Sequence, residues 1–134
     1  MRSDGLILVA YDGSASARRA LDHAAAFTEP GSHVFVVNVI PEQSVSSRLE
    51  TVSDAQRTKQ RRLLREAEAI LARRGVAVRP VAVAGEPAAE ILAAARATGA
   101  RLLVVGSDGR RHLLRRSLSA RLARHAACDV LVVH

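Results

Sequence analysis

The stretch Arg101–His134, RLLVVGSDGRRHLLRRSLSARLARHAACDVLVVH, decides the fold. It opens on an apolar run, Leu102 to Val105, and turns on Gly106-Ser107-Asp108-Gly109. A basic loop follows, then an amphipathic helix expected to start at a serine cap, Ser117 or Ser119, and a second apolar run, Val130 to Val133. Short runs that are apolar throughout, in place of alternating, are strands covered on both faces, and a helix between two of them makes the pair parallel. Glycines at the carboxyl end of such a strand let a backbone come close to a ligand, and a helix starting nearby aims unpaired N–H groups at the same space. Both features suit an anion, a phosphate above all.

The same alternation extends back to the N-terminus. Gly5 to Ala10 reads as a buried strand, Asp12-Gly13-Ser14 as a turn, and a helix follows that Ser14 or Ser16 can cap. Its buried stripe is Ala17, Ala20, Leu21, Ala24 and then Phe27 or Thr28, before Pro30-Gly31 ends it. Val34 to Ile40 is a second strand, stopped by Pro41. Pro41 to Val52 is polar and unpatterned, the one long loop, read as a connector in preference to a lid. Ser53-Asp54-Ala55-Gln56 has capping-box spacing and opens what should be the longest helix, its core face on Leu64, Ala67, Ile70 and Leu71 up to Gly75. Val76 to Ala84 is a third strand whose Pro80 demands a sheet edge or a bulge. Pro87 suits the first turn of a helix with Ile91, Leu92 and Ala95 inward, stopped by Gly99. Five strands alternating with four helices over 134 residues make one α/β domain: an open parallel sheet with helices on both faces.

Composition narrows the function classes. No apolar run is long enough to cross a bilayer, and the N-terminal run is too short for a secretory signal. The single cysteine, Cys128, fits a reducing compartment, so a cytoplasmic location with no membrane partner is expected. The formal net charge is +7, carried almost wholly by arginine, with Lys59 the one lysine. Many of these arginines fall on polar helix faces, and one tyrosine with two phenylalanines offers no stacking platform, so nucleic acid is not an expected partner. His23, His33, His112, His125 and His134 show no ligand spacing, and no metal site is expected. Cys128 beside His125 reads as a small buried residue in place of a nucleophile. Nucleophile-elbow, P-loop and dinucleotide-fingerprint motifs are missing, so no enzymatic chemistry is indicated.

In an open parallel sheet, ligands bind beyond the carboxyl ends of the strands where the strand order reverses. Asp12 follows the first strand and Gly106 to Gly109 follow the fourth, so a carboxylate and a phosphate-friendly turn face one crevice. That pairing predicts a nucleotide.

The segments VAYDGSASARRAL, GEPAAEI, LLVVGSDG and SLSARLARHAACDVLVV together resemble the universal stress protein family over nearly the whole chain. The resemblance implies strand order 3-2-1-4-5, a homodimer paired through the last strand at Val130–Val133, unidentified protein partners, and in some members ATP. It maps Asp12 and Val39 onto adenosine-contacting positions, Gly106 and Gly109 onto the phosphate turn, and Ser117 and Ser119 onto donors at a helix start. The family's ATP pattern places nine residues between the second glycine and a glycine before the serine. Here six residues separate Gly109 from Arg116, which stands in that glycine's place. Arg116, with Arg110, Arg111 and Arg115, supplies charge where the backbone cradle is shorter. Two readings result: a non-enzymatic stress protein regulated by ATP or a related adenine nucleotide, and a dimeric interaction protein of the same fold that has lost the nucleotide.

Overall fold

The computed structural model describes residues 5–42, 52–107 and 112–134, and residues 112–117 by their backbone alone. The elements run β1 (Ile7–Ala10), α1 (Ala15–Ala26), β2 (His33–Pro41), α2 (Asp54–Ala72), β3 (Ala77–Gly85), α3 (Pro87–Thr98), β4 (Leu102–Gly106), α4 (His112–His125) and β5 (Asp129–Val133). The strands form one sheet in the order β3-β2-β1-β4-β5, and every pairing is parallel. The family order is therefore the observed one, and α2, at 19 residues, is the longest helix.

Three of the helices begin where their local chemistry dictates. Ser14 caps α1, its Oγ accepting the Ala17 N–H at 3.2 Å. Thr28, not Phe27, completes the buried stripe: Thr28 donates to the Ala24 carbonyl at 2.7 Å, while Phe27 is 55% exposed. Ser53 and Gln56 close a reciprocal capping box on α2. Pro87 sits in the first turn of α3, and Gly99 ends that helix in the left-handed region at φ 70°.

The expected start of α4 is corrected. The helix runs from His112, five residues ahead of Ser117, so Ser117 and Ser119 lie within it and not at its first turn. The segment His112-Leu-Leu-Arg-Arg contains no glycine or proline, and Arg116, a good helix former in place of the family's glycine, gives the helix nothing to stop against. The turn residues Asp108 and Gly109, the loop arginines Arg110 and Arg111, the stretch 43–51 of the long loop, and the side chains of Arg115, Arg116 and Ser117 lie outside the described residues.

The sheet divides two apolar cores. One side packs α1 and α2 on Ile7, Val9, Val34, Val36, Val104 and Val133. The other packs α3 and α4 on Leu8, Val37, Leu103 and Val105, with Val39, Val130 and Val132 adding partly buried area. Consecutive residues of a strand thus serve opposite cores, which is why these strands are apolar at nearly every position.

The two sheet edges differ. In β3, Ala77 donates inward to Ser32 and the Gly85 carbonyl accepts inward from Glu42. By alternation the even-numbered residues direct their peptide groups outward, and Pro80 is one of them, so its missing N–H subtracts from the open edge and not from the ladder. In β5, Asp129 donates to Arg101 and the Val133 carbonyl accepts from Ser107. Val130 and Val132 therefore turn complete peptide groups outward, with no proline to blunt that edge.

Candidate functional site

The register of the three central strands builds the site. Ala10 lies opposite Val37 on one side and Val105 on the other. Two residues further on, Asp12, Val39 and Ser107 come level at the carboxyl end of the sheet, with Gly106 one step below Ser107. The strand order departs from β1 in opposite directions here, toward β2 and toward β4, which is where such sheets open a crevice.

Local bonds fix each wall. The Asp12 carboxylate accepts the Ser14 N–H at 2.9 Å, an Asx turn that holds it beside the first turn of α1. Val39 is half-buried and packs on the α3–α4 side. Ser107 donates its N–H to the Val133 carbonyl at 2.8 Å, its hydroxyl lies 2.9 Å from His134 Nδ1, and Arg19 donates to the His134 carbonyl at 2.7 Å. On the far side, Glu86 caps α3 by accepting from Ala88 and Ala89 and takes both Arg121 nitrogens at 3.0 and 2.8 Å. That fork joins α3 to α4, and the Arg121 guanidinium holds the Glu86 carboxyl below its ordinary range.

Gly106 is glycine for a reason internal to the protein. A Cβ there would stand 2.4 Å from Ser16 Oγ and 2.6 Å from the Ala17 backbone nitrogen. The backbone that comes close to it is that of α1, so the residue seats the first turn of α1 against the end of β4. Ser119, within α4, has a buried Oγ with no hydrogen-bond partner.

A polar network beneath the crevice went unread in the sequence. Asn38, 7% exposed, donates from Nδ2 to the Tyr11 carbonyl at 2.8 Å. Gln60 of α2, also 7% exposed, directs Nε2 at the Asn38 carbonyl (2.8 Å), Asn38 Oδ1 (3.2 Å) and the Val83 carbonyl (2.9 Å). Tyr11, 2% exposed, donates its phenol to Glu66, which also accepts from Arg18 at 3.2 Å. Burial first, then the Glu66 carboxylate, pushes the Tyr11 phenol up to about 12. The phenol's hydrogen bond and, after it, the Arg18 charge hold Glu66 low. One signal was present: Gln60 stands on the stripe Gln60, Leu63, Leu64, Ala67, Leu71, where a polar residue needs a buried partner.

Cys128 is half-buried, and desolvation followed by Asp129 raises its thiol, the opposite of an activated nucleophile. Among the described residues no group of three or more His, Cys, Asp or Glu gathers as a metal site, and no helix is long and apolar enough to cross a membrane.

A parallel sheet in this order, with the Asp12 turn after β1 and Gly106 at the end of β4, defines a doubly wound α/β protein, a class that takes ligands beyond the carboxyl ends of its strands. The profile of the Universal stress protein family matches residues 6–134, and the chain belongs to that family. It is 28% identical to Universal stress protein YxiE of Bacillus subtilis (strain 168), the alignment covering 95% of this chain and 97% of that protein. Among solved structures, a universal stress protein family member from Burkholderia pseudomallei is 33% identical with a TM-score of 0.72, covering 96% of this chain and 95% of that one. A universal stress protein in complex with cAMP is 28% identical with a TM-score of 0.73, again covering 96% and 95%.

Proposed function

We propose that this protein is a non-enzymatic, cytoplasmic stress protein that binds an adenine nucleotide between Asp12, Val39 and the β4 turn, and that occupancy of this crevice is its regulatory signal. The observation that carries the reading is the register, in which Val39 and Ser107 stand level with Asp12 on either side of the β1 end, with Gly106 one step below Ser107. The cAMP complex of a 28% identical relative supports adenine as the base. Asp12 and Val39 take the adenosine end, and Gly106, Gly109 and Arg116 belong to the phosphate end, which Ser117 and Ser119 would have to reach from inside α4 and not from its first turn. ATP is the ligand of the full family pattern, of which this chain keeps the first half, Gly106 and Gly109, so the ligand is ATP or a related adenine nucleotide. Arginine charge replaces part of the shortened cradle, so binding weakens as ionic strength rises. Mass spectrometry of small molecules released from the purified, denatured protein tests this: a co-purified adenine nucleotide supports it, and none after purification at low salt speaks against it.

Two observations favour the second reading, a dimeric interaction protein without nucleotide. The space beside Gly106 is filled by α1, and α4 begins at His112, leaving little chain between turn and helix. In both readings the homodimer pairs through β5, whose outward peptide groups at Val130 and Val132 are unblunted, whereas Pro80 interrupts the opposite edge.

A further inference from the structure

We propose that α2 reads the occupancy of the crevice, through Gln60 and Glu66. The inference rests on the nucleotide reading above and deepens it by naming the element that responds. The two residues held by α2 are the immediate chain neighbours of the two residues assigned to adenosine. Tyr11 precedes Asp12, and Asn38 precedes Val39. Tyr11 packs with the α1–α2 core while Val39 packs with the α3–α4 core, so the sheet end separates the ligand wall from its support.

The connection is short and buried. Gln60 spans from α2 to the carbonyls of Asn38 on β2 and Val83 on β3. Asn38 passes the link to the Tyr11 carbonyl, and the Tyr11 phenol returns to α2 at Glu66. A ligand that fixes the Asp12 turn and the Val39 backbone also fixes Tyr11 and Asn38, and with them both anchor points of α2. Order gained in the crevice is therefore order gained in α2, and by linkage a single coupling free energy describes both the ligand's ordering of α2 and the effect of α2 order on the ligand.

Hydrogen exchange by mass spectrometry on the full chain, with and without saturating ATP, reads this directly. In wild type, ATP should slow exchange in residues 54–72 as well as in 9–14 and 36–40. Gln60→Met should keep the protection at 9–14 and 36–40 but lose most of it in α2. Glu66→Gln, which retains an acceptor for the Tyr11 phenol, should keep both. Protection of the crevice segments with none in α2, or equal α2 protection in wild type and Gln60→Met, overturns the proposal. If ATP protects nothing in wild type, the nucleotide reading fails, and the ligand-free comparison decides the coupling alone. The Tyr11 amide, bonded to the Val37 carbonyl at 2.9 Å, should then exchange about fivefold faster in Gln60→Met while β4 is unchanged. An unchanged Tyr11 rate overturns it.

Discussion

Replacing Gly106 with alanine tests how α1 is seated against the sheet. The new Cβ would meet Ser16 Oγ at 2.4 Å, the Ala17 nitrogen at 2.6 Å and the Ser16 carbonyl carbon at 2.7 Å. The hydroxyl can rotate away, but the other two atoms are backbone and lie about 1 Å inside ordinary contact. The first turn of α1 must then move off β4, and with it the Ser14 cap and the Asp12 turn bonded to it. Overpacking of this kind costs roughly 1–3 kcal/mol, and the rigid neighbours put it at the upper end. For a domain of this size that lowers Tm by on the order of 10 °C. Gly106 lies outside the left-handed region, so the loss is steric and not conformational. Gly99→Ala supplies the contrast: φ is +70° and the space is open, so only the left-handed penalty of about 1 kcal/mol applies. Urea and thermal unfolding of both variants measure the difference. Gly106→Ala within about 0.5 kcal/mol of wild type would refute the packing argument.

Three further outcomes follow from named contacts. Tyr11 is the only tyrosine, so tyrosinate absorbance titrates it alone; its raised value means stability is intact below 10.0 and lost as pH climbs toward about 12, and Tyr11→Phe should remove that alkaline loss. Glu86→Ala should destabilise by about 1 kcal/mol through loss of the α3 cap, and Arg121→Ala by well under that, because the pair is half-exposed; as Glu86 is held low, its contribution is present above the ordinary glutamate range and fades on acidification below about pH 4, as unfolding of Glu86→Gln across that range would show. Val132→Asp places a charge on the unblunted β5 edge, partly against the α3–α4 core, and should yield a monomer by light scattering, with circular dichroism reporting whether it stays folded; a folded dimer would move the interface elsewhere.

The order of elements was legible because each strand is a short apolar run and α1, α2 and α3 carry their own punctuation. Ser53 with Gln56, Pro87 and Gly99 act within a few residues, so their meaning survives without tertiary knowledge. Pro80 likewise announced an edge. The start of α4 is not legible, because serines that cap well in isolation lie inside a run of helix formers that nothing interrupts. Gly106 also packs against α1, about ninety residues away in the chain, a contact that no local pattern encodes. The same distance hid the Tyr11–Glu66 and Gln60–Asn38 links, where only the misplaced polarity of Gln60 gave a hint.

Calorimetric titration of ATP into wild type and Asp12→Ala tests the nucleotide crevice most directly. Wild type should bind, and ATP about a hundredfold above its Kd should add roughly 2.7 kcal/mol to unfolding stability. Asp12→Ala, folded but without the carboxylate at the β1 end, should show neither heat nor stabilisation. Absence of binding by wild type to ATP, AMP and cyclic AMP alike, or equal binding by the variant, would contradict the account.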